Sequence, residues 1–163
     1  MTSITLRPAR QDDMRVLTDM LVEAANWNPD RIRPRVTLLA EPAVAHYVRD
    51  WQRPGDFGTV AEDDTGTPVG ACWFRLFTVT DPGYGFIAPG VPELTLGVAA
   101  QWRGQGIGRA LLRAAVGQAR QAGYARVSLS CERANFATHL YRSEGFVPVE
   151  SGPDSDTMVR ILN

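Results

Sequence analysis

Three glycines at alternate positions, in Arg103-Gly-Gln-Gly-Ile-Gly108, form the pattern in this sequence best suited to holding a ligand. The pattern stands between a segment with strand character and a segment with helix character. Backbone N–H groups at a helix N-terminus carry partial positive charge, and glycines let an anion approach the main chain without a Cβ in the way. The spacing therefore predicts a phosphate or pyrophosphate site at the start of a helix.

Two familiar phosphate loops do not fit these residues. A Walker A loop requires a lysine, and all 17 basic residues of the chain are arginines. A dinucleotide fingerprint requires G-x-G-x-x-G, but the third residue after Gly106 is Arg109. A nucleotide-binding protein is therefore disfavoured, and a glycine-rich turn without a ligand is the remaining alternative.

The spacing Arg103-x-x-Gly106-x-Gly108 resembles the acetyl-CoA pyrophosphate loop of the GNAT superfamily of N-acetyltransferases. Two further segments extend the resemblance. Val91-Pro-Glu-Leu-Thr-Leu-Gly-Val98 is similar to the family's fourth strand, and Leu140-Tyr-Arg-Ser-Glu-Gly-Phe146 is similar to its L-Y-x-x-x-G-F signature. Arg7-Pro-Ala9 followed by Asp13 resembles the usual opening. The likeness is strong from residue 92 to 147 and thin from 26 to 90.

The resemblance implies transfer of an acetyl group from acetyl-CoA to a primary amine of a small molecule or peptide, by direct attack in a ternary complex. It implies cofactor contacts at Leu96, Gly97, Val98, Arg103, Gly104, Gln105, Gly106, Ile107, Gly108, Arg109, Asn135 and Tyr141. Many family members have an asparagine seven residues before the signature tyrosine, whereas Asn135 stands six before Tyr141. A pantetheine contact and a helix N-cap are equally open for Asn135. Arg109 and Arg113 are candidates for phosphate contacts or for a solvated helix face.

The resemblance also implies which groups of the protein transfer protons during the reaction. It makes Tyr141 the acid that protonates the departing thiolate, and a backbone N–H near Val98 the donor to the oxyanion. An amine with a pKa near 10 must lose a proton before it attacks. We expect Glu93, at the mouth of a strand, to be the general base directly or through a water. The alternatives are a packing role for Tyr141 and a solvated strand-end carboxylate at Glu93.

Hydrophobic periodicity places the elements that must position these residues. We expect strands at 3–7, 57–61, 68–77, 93–99, 125–131, 146–149 and 157–162, and helices at 12–25, 41–51, 108–122 and 135–144. The broken segment from Asp81 to Pro92 is a candidate substrate-facing loop. The order β-α-α-β-β-β-α-β-α-β-β predicts one α/β domain over 1–163. The resemblance implies the GNAT fold, with a mixed, mostly antiparallel sheet flanked by helices.

Composition excludes several other roles. A net charge of -1 provides no general field for nucleic acid, and no apolar run approaches a membrane span. Cys72 and Cys131 fit no zinc or redox spacing, so we expect buried free thiols and no metal. We see no secretory signal and expect a cytoplasmic protein. A homodimer stays open, as does a second function, an acyl-CoA-binding sensor without turnover.

Overall fold

The computed structural model describes residues 3–163. Its strands are β1 (Thr5–Pro8), β2 (Phe57–Glu62), β3 (Pro68–Arg75), β4 (Glu93–Val98), β5 (Arg126–Glu132), β6 (Val147–Ser151) and β7 (Ser155–Ile161). Its helices are α1 (Met14–Ala25), α2 (Arg35–Leu39), α3 (Pro42–Ala45), α4 (Ile107–Gln121) and α5 (Ala137–Ser143). Within the described range no helix is long and apolar enough to cross a membrane.

All seven strands join one sheet in the order β1-β2-β3-β4-β5-β7-β6. Five of the six neighbouring pairs are antiparallel, and only β4 and β5 run parallel. The predicted mixed, mostly antiparallel sheet is therefore confirmed. The consecutive strands β2 and β3 pair as an antiparallel hairpin.

Helices cover both faces of the sheet. The face that carries α4 and α5 packs Cys72 and Phe74 of β3, while the opposite face packs Ala71 and Trp73 against α1, α2 and α3. This alternation along β3 follows from the period of two in an extended strand. We call these the α4 face and the α1 face.

The predicted helix at 41–51 is wrong in its extent. Within this region only Pro42–Ala45 is helical, as α3, and turns follow it to residue 50; α2 ends before the region begins. Arg75 accounts for the end of α3, because its guanidinium donates to the carbonyls of His46 and Arg49 at 2.8 and 2.7 Å. In a continuing α-helix those carbonyls would accept N–H groups four residues further on. Here the buried Arg75 side chain from β3 donates to these carbonyls instead of the helical N–H groups.

Arg75 and Asp56 form a fully buried ion pair. Their side chains are 1% and 2% exposed, and the guanidinium donates to both carboxylate oxygens, at 3.1 and 2.6 Å. A two-pronged contact of this kind satisfies both charges away from water. Together with the two carbonyl contacts, it fastens the turns after α3 to the sheet.

Both cysteines are free and buried, as the sequence predicts. Burial raises the pKa of the Cys72 thiol, and burial beside Glu132 and Asp156 raises that of Cys131 to about 11. Thiols in this condition stay protonated near neutral pH and are poor nucleophiles. Cys72 and Cys131 belong to the hydrophobic core on the α4 face.

Replacing Arg75 with methionine should lower the free energy of unfolding by roughly 3 kcal/mol or more, because Asp56 would be left as a buried, unpaired charge. Urea denaturation of the variant measures the loss. Arg126→Met is a matched control, since Arg126 also lies on a strand but is exposed. A loss below about 1 kcal/mol would show that the pair does not hold this region together.

Candidate active site

The sheet opens between β4 and β5. Their ladder has a single registered pair, Glu93 opposite Ser128, next to a bond from the Ser128 N–H to the Pro92 carbonyl at 3.0 Å. Beyond that point β4 stays paired with β3 as far as Val98, while β5 pairs with β7 as far as Glu132. The C-terminal halves of the two parallel strands therefore diverge, and a gap connects the α4 face with the α1 face.

The glycine turn lies at the N-terminus of α4, as the sequence predicts. Gly104 and Gly106 have φ values of 75° and 83°, and α4 begins at Ile107. No atom lies within 4 Å of the position that a Cβ would take at either glycine. The first N–H groups of a 15-residue helix thus stand beside open space, which is the geometry of an anion site.

Leu96 and Val98 of β4 lie beside the start of α4. The Cβ position of Gly108 is 3.8 Å from Leu96 and 3.9 Å from Val98. Gly97 between them points the other way, and a side chain there would overlap the carbonyl of Met20 in α1. Gly97 therefore has a packing reason to be glycine, independent of any cofactor contact.

The arginines near the turn are already engaged within the protein. Arg103 donates to the Val98 carbonyl at 3.0 Å and to the Glu23 carboxylate at 2.9 Å. Arg109 and Arg113 both pair with Glu144, which ties α4 to the end of α5. Their phosphate contacts remain a prediction. Gln105 makes one weak contact, from its amide to the Gln101 carbonyl at 3.4 Å.

Tyr141 approaches the gap from the α4 face. It is 7% exposed and belongs to the core that includes both cysteines. Burial, together with Cys131 and Cys72, raises the pKa of the Tyr141 phenol well above its usual value. Within residues 3–163 no hydrogen bond is among the causes of this shift. A protonated phenol suits the donor role, although packing is also evident.

Asn135 caps the last short helix. Its side-chain oxygen accepts the Ala137 N–H at 2.9 Å, at the first residue of α5. This is the capping role that the sequence left open beside a pantetheine contact. The cofactor contact is a separate expectation that the capping bond does not test.

Glu93 lies on the α1 face and is 2% exposed, so the alternative of a solvated carboxylate is wrong. One oxygen, Oε2, accepts the Tyr47 hydroxyl and the Gly85 N–H, the latter at 3.1 Å. Burial raises the pKa of Glu93 to about 7, and these two bonds oppose the rise. A carboxyl that titrates near neutral pH can accept a proton and release it again in the same cycle.

A loop from the predicted substrate-facing segment covers Glu93. A side chain at Gly83 would overlap the Glu93 carboxylate, and the Gly85 carbonyl accepts the Ser128 hydroxyl at 2.7 Å. The Tyr84 N–H donates to the Tyr47 hydroxyl at 2.8 Å. The sequence places Tyr47 in the predicted helix at 41–51 and assigns it no role in the site. No local pattern could have paired it with a carboxylate 46 residues away in sequence.

A cavity of about 420 Å³ opens on the α1 face at the end of β5. Glu132 lies in its wall and accepts the Trp27 indole N–H and a contact from Arg31 at 3.1 Å. Asp154, from the turn between β6 and β7, lines the same space. A larger groove of about 600 Å³ follows β6 and β7, but none of the predicted site residues lines it. Among the described residues no three His, Cys, Asp or Glu side chains gather as a metal site.

Comparisons with known proteins agree with this geometry. Residues 22–146 match the sequence model of the Acetyltransferase (GNAT) family. A mycothiol acetyltransferase of Propionibacterium freudenreichii subsp. shermanii is 31% identical over 143 residues, which cover 87% of this chain and 42% of that protein. The chain thus spans less than half the length of that relative.

Solved structures share the fold along nearly the whole chain. A ribosomal-protein-alanine N-acetyltransferase from Brucella melitensis has 28% identity and a TM-score of 0.68, covering 97% of this chain and 99% of that one. The protein yncA of Salmonella typhimurium, solved with its cofactor acetyl-CoA, has 25% identity and a TM-score of 0.68, covering 99% and 95%. The family match covers well over half of the chain and includes β4, the glycine turn and Tyr141, and the chain therefore belongs to the acetyltransferase (GNAT) family.

Proposed function

We propose that this chain is an N-acetyltransferase that moves the acetyl group of acetyl-CoA to a primary amine by direct attack in a ternary complex. The observation that carries the proposal is the gap between β4 and β5, with an open glycine turn on one face and a buried carboxyl with a pKa near 7 on the other. The sheet of seven strands runs from residue 5 to residue 161, which supports one domain for the chain as given.

The glycine turn fits the pyrophosphate of acetyl-CoA. The N–H groups of the segment Gly104–Gly108 border open space at a helix N-terminus, where negative charge is favoured. The edge of β4 from Leu96 to Val98 has no partner on β5 and offers main-chain groups to the pantetheine arm. In yncA of Salmonella typhimurium, a relative with 25% identity, acetyl-CoA is the bound cofactor.

Bound acetyl-CoA supplies a thioester whose carbonyl carbon the amine can attack. The main-chain N–H near Val98 would donate to the carbonyl oxygen, and preorganised donors of this kind stabilise the charge that develops there. Tyr141 would give its proton to the departing sulfur. Glu93 would take the proton that the amine loses, through a water, because the loop over Gly83 covers its carboxylate.

The acceptor amine would enter from the α1 face, through the cavity beside Glu132. The cavity lies at the end of β5 that has no β4 partner, opposite the face that carries the glycine turn. Its wall combines an aromatic ring, Trp27, with the carboxylates of Glu132 and Asp154. Arg31 and Arg133 line the same cavity, so its formal charges balance, and the acceptor is defined only by the ammonium group whose proton Glu93 would take. A small molecule and a peptide N-terminus both carry this group.

The test of the proposal is an acceptor screen with acetyl-CoA, in which released coenzyme A and the acetylated amine are both measured by mass spectrometry. We expect at least one primary amine to be acetylated in step with coenzyme A release. A protein that is stabilised thermally by acetyl-CoA but acetylates no amine would be a sensor. Stabilisation by ATP or NAD and not by acetyl-CoA would overturn the cofactor assignment.

Gly106→Ala should raise the KM for acetyl-CoA several-fold, because a Cβ at this position would stand where the pyrophosphate approaches the main chain. The matched control is Gly123→Ala, at the other end of α4. Gly123 also has positive φ, 89°, and open space around its Cβ position. Both variants carry the same backbone strain, so an equal change in KM would mean that strain, and not phosphate contact, is responsible.

Glu93→Gln should lower kcat/KM at neutral pH, and kcat/KM should recover toward high pH, where more of the amine is already deprotonated.

The pH dependence of stability gives a second readout for Glu93. The folded-state pKa of about 7 lies above the ordinary glutamate value of 4.5, so the native protein loses stability as the pH rises between these values. The loss is on the order of 3 kcal/mol and should be absent in the glutamine variant.

Glu150→Gln, at an exposed carboxylate on β6, is the control for both measurements. A Glu93→Gln profile with the height and shape of the original protein would leave Glu93 without a catalytic role. Unfolding curves recorded between pH 4 and pH 9 decide the stability part independently of any acceptor.

A further inference from the structure

Two buried polar side-chain atoms in the described part of the chain have no hydrogen-bond partner, Glu93 Oε1 and His46 Nε2. Nearly all buried polar atoms in native proteins are partnered, so exceptions call for an explanation. Both atoms lie under the same stretch of chain. Asp81 contacts His46, and Gly83, two residues later, covers the Glu93 carboxylate.

His46 connects the interior with solvent. The residue is 5% exposed, and its ring packs on Tyr47 and Phe77 with centroid distances of 4.8 and 4.6 Å. Its Nδ1 lies 2.8 Å from Asp81 Oδ1, and the side chain of Asp81 is 60% exposed. A carboxylate beside Nδ1 holds the proton on that nitrogen, which leaves the lone pair on Nε2 in the interior.

The bonds around Glu93 assign its proton to Oε1. The Tyr47 hydroxyl accepts the Tyr84 N–H, and it has one proton, which it donates to Oε2. Oε2 also accepts the Gly85 N–H. The oxygen left free to bind a proton is Oε1. Because the Tyr47 ring contacts the His46 ring and its hydroxyl binds Glu93, both residues with an unpartnered atom contact the same side chain.

We propose that His46 and Asp81 form the route by which a proton collected by Glu93 reaches solvent, an inference that rests on the proposed function. In each turnover the amine N–H bond breaks and an O–H bond forms at Glu93 Oε1. Because neither atom has a partner, the two are not within hydrogen-bond distance, and that proton passes through water to His46 Nε2; the imidazolium then releases its Nδ1 proton to Asp81 and on to water. Exchange with solvent or rotation of the ring restores the first tautomer, and no electrons are transferred.

The surrounding charges favour this route. Arg75 donates to the His46 carbonyl at 2.8 Å, but its charge is balanced by the bidentate contact with Asp56. The other ionisable groups around His46 are Asp81, Tyr47 and, through Tyr47, Glu93. The route therefore lies between the side chains of Glu93 and Asp81, with no unbalanced positive charge beside it.

The test is His46→Gln, assayed with an acceptor from the screen, at saturating substrates and low buffer concentration. We expect kcat to fall about tenfold or more, with an unchanged KM for acetyl-CoA, because general acid–base groups contribute factors of this size or larger. Added imidazole should restore kcat in the variant and have little effect on the original protein. His139→Gln, at the exposed second histidine, is the matched control.

Asp81→Asn is the second variant, in case His46→Gln fails to fold. Asp81 is largely exposed, and the amide cannot pass on a proton, so kcat should again be low and depend on buffer. A kcat equal to that of the original protein, or a loss that imidazole does not reverse, overturns the relay and leaves the proposed function intact. If the original protein acetylates no amine, the proposed function fails and the relay fails with it.

Discussion

The arrangement of this protein depends on how far β4 and β5 stay paired. Parallel neighbours in a sheet normally continue their ladder, but here one registered pair, Glu93 with Ser128, is followed by divergence. The two strands satisfy their backbone groups on their outer sides, β4 with β3 and β5 with β7. The sheet therefore stays continuous at the closed end of the gap and opens at the other, where a ligand can reach from one face to the other.

The gap separates the two proposed proton-transfer groups by face. Tyr141 belongs to the core of the α4 face, whereas Glu93 is surrounded by Tyr47 and the loop at Gly83–Gly85 on the α1 face. Burial acts on both groups in the same direction, by disfavouring the charged form. For the phenol this preserves a proton that can be donated, and for the carboxyl it moves the pKa to about 7. The same physical effect thus keeps both groups neutral over a wider range of pH.

The α1 face also shows why a buried network of side-chain contacts could not be predicted in a region where the sequence signal is weak. Arg75 ends α3 and fixes the turns that follow, and these turns carry His46 and Tyr47 into the interior. The spacing of Val44, Tyr47, Val48 and Trp51 is that of a helix stripe, and all four are indeed buried. The pattern predicts the burial of these residues correctly and their secondary structure incorrectly. The reason is that Arg75 of β3 binds carbonyls that a continuing helix would use.

The sequence by itself determined the order of the seven strands and of the helices α1, α4 and α5, the position of the glycine turn and the family, since each is encoded in local spacing and turn residues. It also named Glu93 and Tyr141 from their places in motifs. Only the tertiary structure decided that Glu93 is buried, that Tyr47 binds it, and that Arg103, Arg109 and Arg113 are engaged by protein carboxylates. Those contacts join residues 31 to 80 positions apart, and no local periodicity carries information about such pairs. The proposed acceptor cavity could not be predicted for the same reason. Its wall is assembled from three separate loops that meet only when the sheet has formed.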